Sequence, residues 1–470
     1  MITGIAAALL LPLLVLALAW WSWGARCTQM RGALPPGPRP LPLLGNLLQL
    51  KPHLDRALME LSRHWGSVFT VRLGRRPAVV LCGYAALRDA LVLQADTFSG
   101  RGAMPVFERF THGNGIVFSN GPLWGALRNF ALGALKEFGL GTQTIEEQIL
   151  EEASCLLNEF QATIGTPFDP RRLLSNAVSN VICSVVFGKR YSYGDSEFLR
   201  LLDLFNDNFR IMSSRWGEAK PSVPSKMTKN YSSDLKRKKH LNETVLGSAC
   251  GSVRRAQAQY TGSTQRWQVC KLEKPRMGAW GLGMAGGVGK CSADQLPLAP
   301  AKVQAELDAV VGRVRAPNLE DRACLPYTNA VLHEIQRFIS VLPLGLPRAL
   351  TRDTHLHGHF LPKGTFVIPL LVSAHRDPTQ FKDPDCFNPT NFLNDKGEFQ
   401  SNDAFMPFAP GKRMCLGAGL AHSEIFLFPT AILQKFSLLP VENSANINLT
   451  PHCTGLGNVP PAFQLRLVPR

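Results

Sequence analysis

The sequence predicts a mainly α-helical body with a small β part, standing behind one N-terminal apolar segment. Helical periodicity recurs along most of the chain, whereas alternating β-branched runs are few and short. Those two observations give the fold class. A third places the body: Ile2 to Trp23 (ITGIAAALLLPLLVLALAWWSW) carries no charged residue and is long enough to span a bilayer.

The apolar segment reads as a transmembrane anchor, residues 1–24. Trp20, Trp21 and Trp23 suit the interface. Arg26 and Arg31 follow, with no Lys or Arg before, which leaves the rest of the chain on the cytosolic side. A cleaved signal peptide is the alternative, and it ordinarily has a basic start and a shorter apolar core. Residues 25–46 form a hinge, because the prolines of LPPGPRPLPLLGN cannot continue a helix and favour a stiff, extended path. The folded domain is then 47–470.

Within it, SVFTVRLG and PAVVLC, separated by Arg75 and Arg76, read as a hairpin. Helical periodicity follows from Tyr84 to Leu93. FSGRG (Phe98–Gly102) opens an irregular stretch through Asn120. Gly121–Gly141 is predicted helical, with Trp124 and Arg128 spaced i,i+4 on one face. Further helices are expected over Thr144–Thr163, Arg171–Val186, Ser196–Met212, Ala301–Gly312 and Tyr327–Phe338. The last contains Glu334 and Arg337 at i,i+3, by themselves an ordinary helical ion pair. HLHGHFLPKGTFVIPLL supplies another hairpin. Its His355, His357 and His359 are read as alternating on one face of a strand, a possible chelating row that lacks a fourth ligand. Ala418–Leu439 reads as one long buried helix.

The chain is strongly basic, with 51 Lys and Arg against 35 Asp and Glu. The excess is concentrated: residues 219–300 hold fourteen Lys or Arg and four Asp or Glu, ten of the sixteen net charges. That stretch is Gly- and Ser-rich, lacks sustained periodicity and reads as an atypical, disordered insert. No interleaved aromatic pattern accompanies its charge, so a nucleic-acid partner is not indicated. Eleven cysteines show no CxxC pair and read as reduced thiols rather than a zinc site or disulfide framework.

One cysteine is set apart by its neighbours. In FAPGKRMCLG (Phe408–Gly417), Gly411 permits a tight turn, Arg413 places a fixed cation two residues before Cys415, and Gly417 clears the space after it. Presentation at the start of a helix favours the thiolate, the form that ligates metal.

FSGRG, WxxxR, ExxR and FxxGxRxCxG occur in this order behind an anchor and a proline hinge. Together they make the chain resemble the cytochrome P-450 haem-thiolate monooxygenases, in particular the microsomal subgroup that oxidises xenobiotics and lipids. The resemblance implies the P-450 fold, with Cys415 as the proximal iron ligand and Phe408 packed beside its sulfur. It implies that Arg413, Arg101, Trp124, Arg128 and Arg348 hold the haem propionates, that Gly411 shapes the loop, and that Glu334–Arg337 is a buried pair. In the family a later PERF-like segment completes that pair. Here it reads PTNF, with Asn391 where the cation usually stands and Thr390 in place of the acid. Phe107, Phe110 and Phe118, with Leu342 and Leu456, are candidates to line the substrate pocket, the three phenylalanines otherwise being core.

The family's distal helix, bearing A/G-G-x-D/E-T-T, has no counterpart in 219–300, so no catalytic acid–alcohol pair is named. The implied cofactor is haem b. The implied electron source is NADPH, through a flavoprotein NADPH–cytochrome reductase whose acidic face would meet basic residues such as Lys412, with cytochrome b5 as a second partner. The expected function is insertion of one oxygen atom from O2 into apolar small molecules, at the endoplasmic reticulum membrane with the catalytic domain in the cytosol. The alternative is a catalytically silent, splice-type variant that at most binds haem.

Overall fold

The computed structural model describes residues 34–50, 53–104, 108, 111, 113–137, 143–213, 298–441, 451, 453–454, 457–459 and 461–470. The expected anchor, residues 219–297 and the pocket candidates Phe107, Phe110 and Leu456 lie outside the described residues. Among the described residues, no helix is long and apolar enough to cross a membrane.

The α-helices, in chain order, are α1 (Leu54–Trp65), α2 (Tyr84–Arg88), α3 (Gly121–Glu137), α4 (Gln143–Gln161), α5 (Arg171–Phe187), α6 (Ser196–Ser213), α7 (Leu298–Val310), α8 (Pro326–Ile339), α9 (Leu371–His375) and α10 (Ala418–Lys435). Helix α10 is apolar on nearly every side and is accordingly buried, from Leu420 to Gln434 with few interruptions. Its Ile425, Phe426, Phe428 and Ile432 share one core with Ile149 and Leu156 of α4, Val178 and Val181 of α5, Val303 and Leu307 of α7, and Val331 and Ile335 of α8.

The main sheet has five strands in the order β1-β2-β7-β4-β3. Strands β1 (Val68–Leu73) and β2 (Arg76–Leu81) are the expected hairpin, paired antiparallel from Val68↔Leu81 to Leu73↔Arg76. Strand β7 (Phe366–Pro369) runs parallel to β2, and β4 (Arg348–Ala349) joins it to β3 (Gly100–Arg101). The hinge is tied to the same sheet: Asn46 Oδ1 accepts from the Arg72 amide at 2.7 Å.

Three expectations are corrected. The apolar run Ala418–Leu439 is not one helix. It leaves helical geometry at Phe436 (φ −134°, ψ 144°), and Phe436–Pro440 becomes β8, paired antiparallel with β9 (Leu465–Pro469). An apolar run does not say by itself where the last strand will claim its backbone. The three histidines do not share a strand face: His355 lies on β5 (Thr354–Leu356), His359 on β6 (His359–Leu361), and His357 in the turn between them at φ +47°. Among the described residues, no group of three or more His, Cys, Asp and Glu is placed to hold a metal ion. Finally, Cys82, Cys155 and Cys324 carry free thiols, but Cys386 is disulfide-bonded. A bridge outside a CxxC pair or a regularly spaced cysteine framework leaves no signature in the sequence.

Candidate functional site

The cysteine loop is closed by two backbone bonds, from the Cys415 amide to Phe408 O at 3.1 Å and from the Met414 amide to Gly411 O at 2.9 Å. Gly411 sits at φ +79°, and a Cβ there would collide with the carbonyl oxygen of Leu91. Leu91 belongs to a one-turn π-helix, Asp89–Leu93, that continues α2. The loop delivers Cys415, partly buried, two residues ahead of Gly417, which caps α10. A thiolate just before that N-terminus is favoured by the positive end of a long helix dipole. The Phe408 ring lies 4.8 Å from that of His422 on α10.

Behind the loop, three arginines converge. Strand pairing sets Arg101 opposite Arg348, and both are buried. Arg101 donates Nε to Val117 O at 2.9 Å and Nη1 to Leu346 O at 3.2 Å. Arg413, also buried, donates Nε to Ser99 O at 2.7 Å and Nη2 to Ser119 O at 2.8 Å. Its guanidinium carbon lies 3.9 Å from the centroid of the Trp124 ring. Arg128, one turn further along α3, does not join that group directly. Its Nη1 donates to Met414 O at 3.1 Å, fastening α3 to the residue before Cys415.

One participant escaped the sequence reading. The Asn120 carboxamide oxygen accepts from both the Arg101 amide at 2.6 Å and Arg413 Nη2 at 3.1 Å, and its nitrogen donates to Arg101 O at 3.2 Å. An Asn just before a helix reads as a capping residue, and nothing local distinguishes it from one that binds two arginines.

The electrostatics say what this cluster is built to meet. Burial, then the charges of Arg348 and Arg128, pull the Arg413 guanidinium down to about 9. Burial and the charge of Arg128 pull Arg348 down to about 10, and Arg101 falls well below its ordinary value through burial and repulsion from Arg348 and Arg413. Arg348 Nε and Arg413 Nη1 are buried with no hydrogen-bond partner. Like charges gathered out of water, with donors left over, fit a ligand bearing two carboxylates, as haem does.

Glu334 and Arg337 of α8 are both fully buried and form a two-pronged pair, Nη2–Oε1 2.6 Å and Nε–Oε2 2.7 Å. Burial raises Glu334, while Arg337, the Asn388 amide and Arg376 pull it back. The remaining Arg337 donors go to His375 O at 2.7 Å, Pro384 O at 2.8 Å and Cys386 O at 2.8 Å. Asn391 does not join them: it caps the backbone of Lys382.

Of the expected pocket residues, Phe118 lies between the carbonyls of Val117 and Ser119 that hold Arg101 and Arg413. Leu342 is half-buried beside Val341, whose carbonyl accepts from the Asn458 amide at 2.8 Å, so the C-terminal turn is drawn to this segment.

The profile of the Cytochrome P450 family matches residues 35–250 and 296–467. The chain is 45% identical to Cytochrome P450 2F2 of Mus musculus over 465 residues, covering 93% of this chain and 94% of that protein. It is 45% identical to Cytochrome P450 2F1 of Homo sapiens over 470 residues (94% and 95%), and 41% identical to Cytochrome P450 2B4 of Oryctolagus cuniculus over 467 residues (93% and 94%). The matched family, the mainly helical fold and the cysteine loop beside a buried arginine cluster lead to one conclusion: this chain belongs to the cytochrome P450 family of haem-dependent monooxygenases.

Proposed function

We propose that the chain holds haem b with Cys415 as the thiolate ligand and oxidises apolar small molecules, xenobiotics or lipids, with electrons from NADPH. The observation that carries this reading is the buried convergence of Arg101, Arg348 and Arg413 beside the cysteine loop, with donors left over. These three bind the two carboxylates, and the Trp124 ring covers the face of the Arg413 guanidinium. When bound, the haem supplies oxygen activation and transfer of one oxygen atom to the substrate.

The chain's own residues position and insulate that chemistry. Gly411 lets the loop turn tightly against Leu91. The start of α10 stabilises negative charge on Cys415, and Arg128 adds a cation near the sulfur while holding Met414 O. Phe408 keeps water from the sulfur's flank. Phe107, Phe110, Phe118, Leu342 and Leu456 line the apolar pocket, where orientation rather than charge selects the substrate. Electrons arrive from a membrane-bound NADPH–cytochrome reductase, with cytochrome b5 as a second donor, at the face carrying Lys412 and Met414, both about half exposed. Ile2–Trp23 anchors the chain in the endoplasmic reticulum membrane with its body in the cytosol.

A second reading is favoured by one observation. The sequence carries no A/G-G-x-D/E-T-T segment, so the acid–alcohol pair that would relay protons is missing. On that reading the chain binds haem but is catalytically silent. Reconstitution with reductase and NADPH separates the two: oxygenated product supports the monooxygenase, whereas NADPH consumed only to peroxide supports the silent variant.

A further inference from the structure

Asn391 stands where a second cation would complete the Glu334–Arg337 pair, yet its carboxamide is engaged with Lys382 N at 2.8 Å and Lys382 O at 3.2 Å. A second guanidinium nevertheless reaches the pair. Arg376 Nη1 donates to Pro384 O at 3.1 Å, the same carbonyl that accepts from Arg337 Nη1 at 2.8 Å. Its Nη2 donates to Phe338 O at 3.0 Å, and its guanidinium carbon lies 4.6 Å from the Phe338 ring centroid. An outer ion pair with Asp385, at 2.8 Å, holds it from the solvent side.

The residue before it touches both ends of the system. His375 is 1% exposed, and its carbonyl accepts from Arg337 Nη1 at 2.7 Å. Its ring Nε2 lies 3.0 Å from the Met406 amide and must accept from it. The proton therefore sits on Nδ1, which donates to Ser340 Oγ at 2.7 Å, and Ser340 Oγ donates in turn to Arg337 O at 2.8 Å. Met406 lies two residues before Phe408, where the cysteine loop begins. A continuous set of buried hydrogen bonds thus runs from the ion pair, through one imidazole, to the backbone that leads into Cys415.

We propose that His375 and Arg376 are positioning residues for the cysteine loop: Arg376 supplies the cation missing at Asn391, and the His375 ring carries the register of the pair to Met406. The proposal rests on Cys415 being the iron ligand, and the two are tested by separate readouts. In the haem-loaded full chain, backbone hydrogen exchange of the 404–417 peptide reads the tie. The fraction of the reduced, carbon monoxide-bound protein showing the thiolate Soret band reads its effect on the sulfur.

His375→Leu and Arg376→Leu are each expected to speed exchange in that peptide roughly tenfold, the order expected for losing one buried hydrogen bond, and to lower the thiolate fraction. His375→Gln, which offers an oxygen to Met406, restores both readouts. Asn391→Arg restores them in the Arg376→Leu background. Leu202→Ala, in a separate buried cluster with Cys183 and Phe198, is the control for general destabilisation at matched loss of melting temperature. The proposal is overturned if His375→Leu and Arg376→Leu only match this control, or if Asn391→Arg fails to rescue. Should His375→Leu not accumulate as folded protein, Ser340→Ala is read by the same two measurements, and unchanged exchange overturns the tie. A wild-type chain that takes up haem without a thiolate band would overturn the ligand assignment, while the exchange arm still decides the tie.

Discussion

The guanidinium of Arg413 lies over the indole of Trp124 at 3.9 Å while Asn120 Oδ1 holds its edge at 3.1 Å. This stacking holds a buried cation, repelled by Arg348 and Arg128, in the cradle it forms with Arg101 and Arg348. Trp124→Leu removes the ring and keeps apolar bulk. A buried cation–π contact is worth about 0.5–2 kcal/mol, so haem release to excess apomyoglobin is expected to accelerate roughly two- to thirtyfold. An unchanged release rate would remove Trp124 from the site.

Gly411→Ala tests the turn that presents the cysteine. At φ +79°, with the Leu91 carbonyl in the path of the new methyl, the substitution combines left-handed strain with a backbone collision. A cost of roughly 3 kcal/mol or more is expected. Thermal unfolding and haem content should both fall, whereas Gly312→Ala, at φ +73° with open space around it, should cost only the strain.

The Glu334–Arg337 pair lends itself to a double-mutant cycle. Removing one partner leaves the other charge buried and unpaired, so Glu334→Leu or Arg337→Leu alone should cost about 3–5 kcal/mol. The double variant should cost less than the sum of the two. Urea unfolding of the four proteins gives the coupling, and strict additivity would show that the pair is not a unit.

His333 gives a pH dependence with a definite sign. Burial, with the charge of Arg322 adding to it and the Asn329 carbonyl opposing, lowers this imidazole to about 4. It packs among Phe392, Phe399 and Phe405 at ring distances of 5.4, 4.6 and 5.0 Å. An unfolded histidine titrates near 6.5, so between those values the unfolded chain binds the extra proton. The stability this neutral ring contributes is complete above about pH 6.5 and is lost as pH falls toward 4, to the extent of about 3 kcal/mol. His333→Gln should flatten the stability profile over that window, and an equally steep profile would place the titration elsewhere.

Much of this was legible in the sequence because local rules decided it. The hairpin over Val68–Leu81 and the helices from Gly121 to Ser213 follow from period and turn chemistry, while spaced motifs singled out Cys415, Arg413 and Arg101 and the family resemblance alone singled out Arg348. What was not legible depends on partners distant in the chain. Phe436–Pro440 is a strand because Leu465–Pro469 lies beside it. Arg128 holds Met414 O because the loop folds back on α3. Asn120 and His375 matter only through groups 19 to 31 or more residues away, and in the sequence each is one polar residue among many.

The most direct measurement is the absorption spectrum of the dithionite-reduced full chain under carbon monoxide. The wild-type protein is expected to show the strongly red-shifted Soret band of a thiolate-ligated haem, and Cys415→Ala to lose it. A Cys415→Ala protein that kept that band would contradict the assignment of Cys415 as the iron ligand.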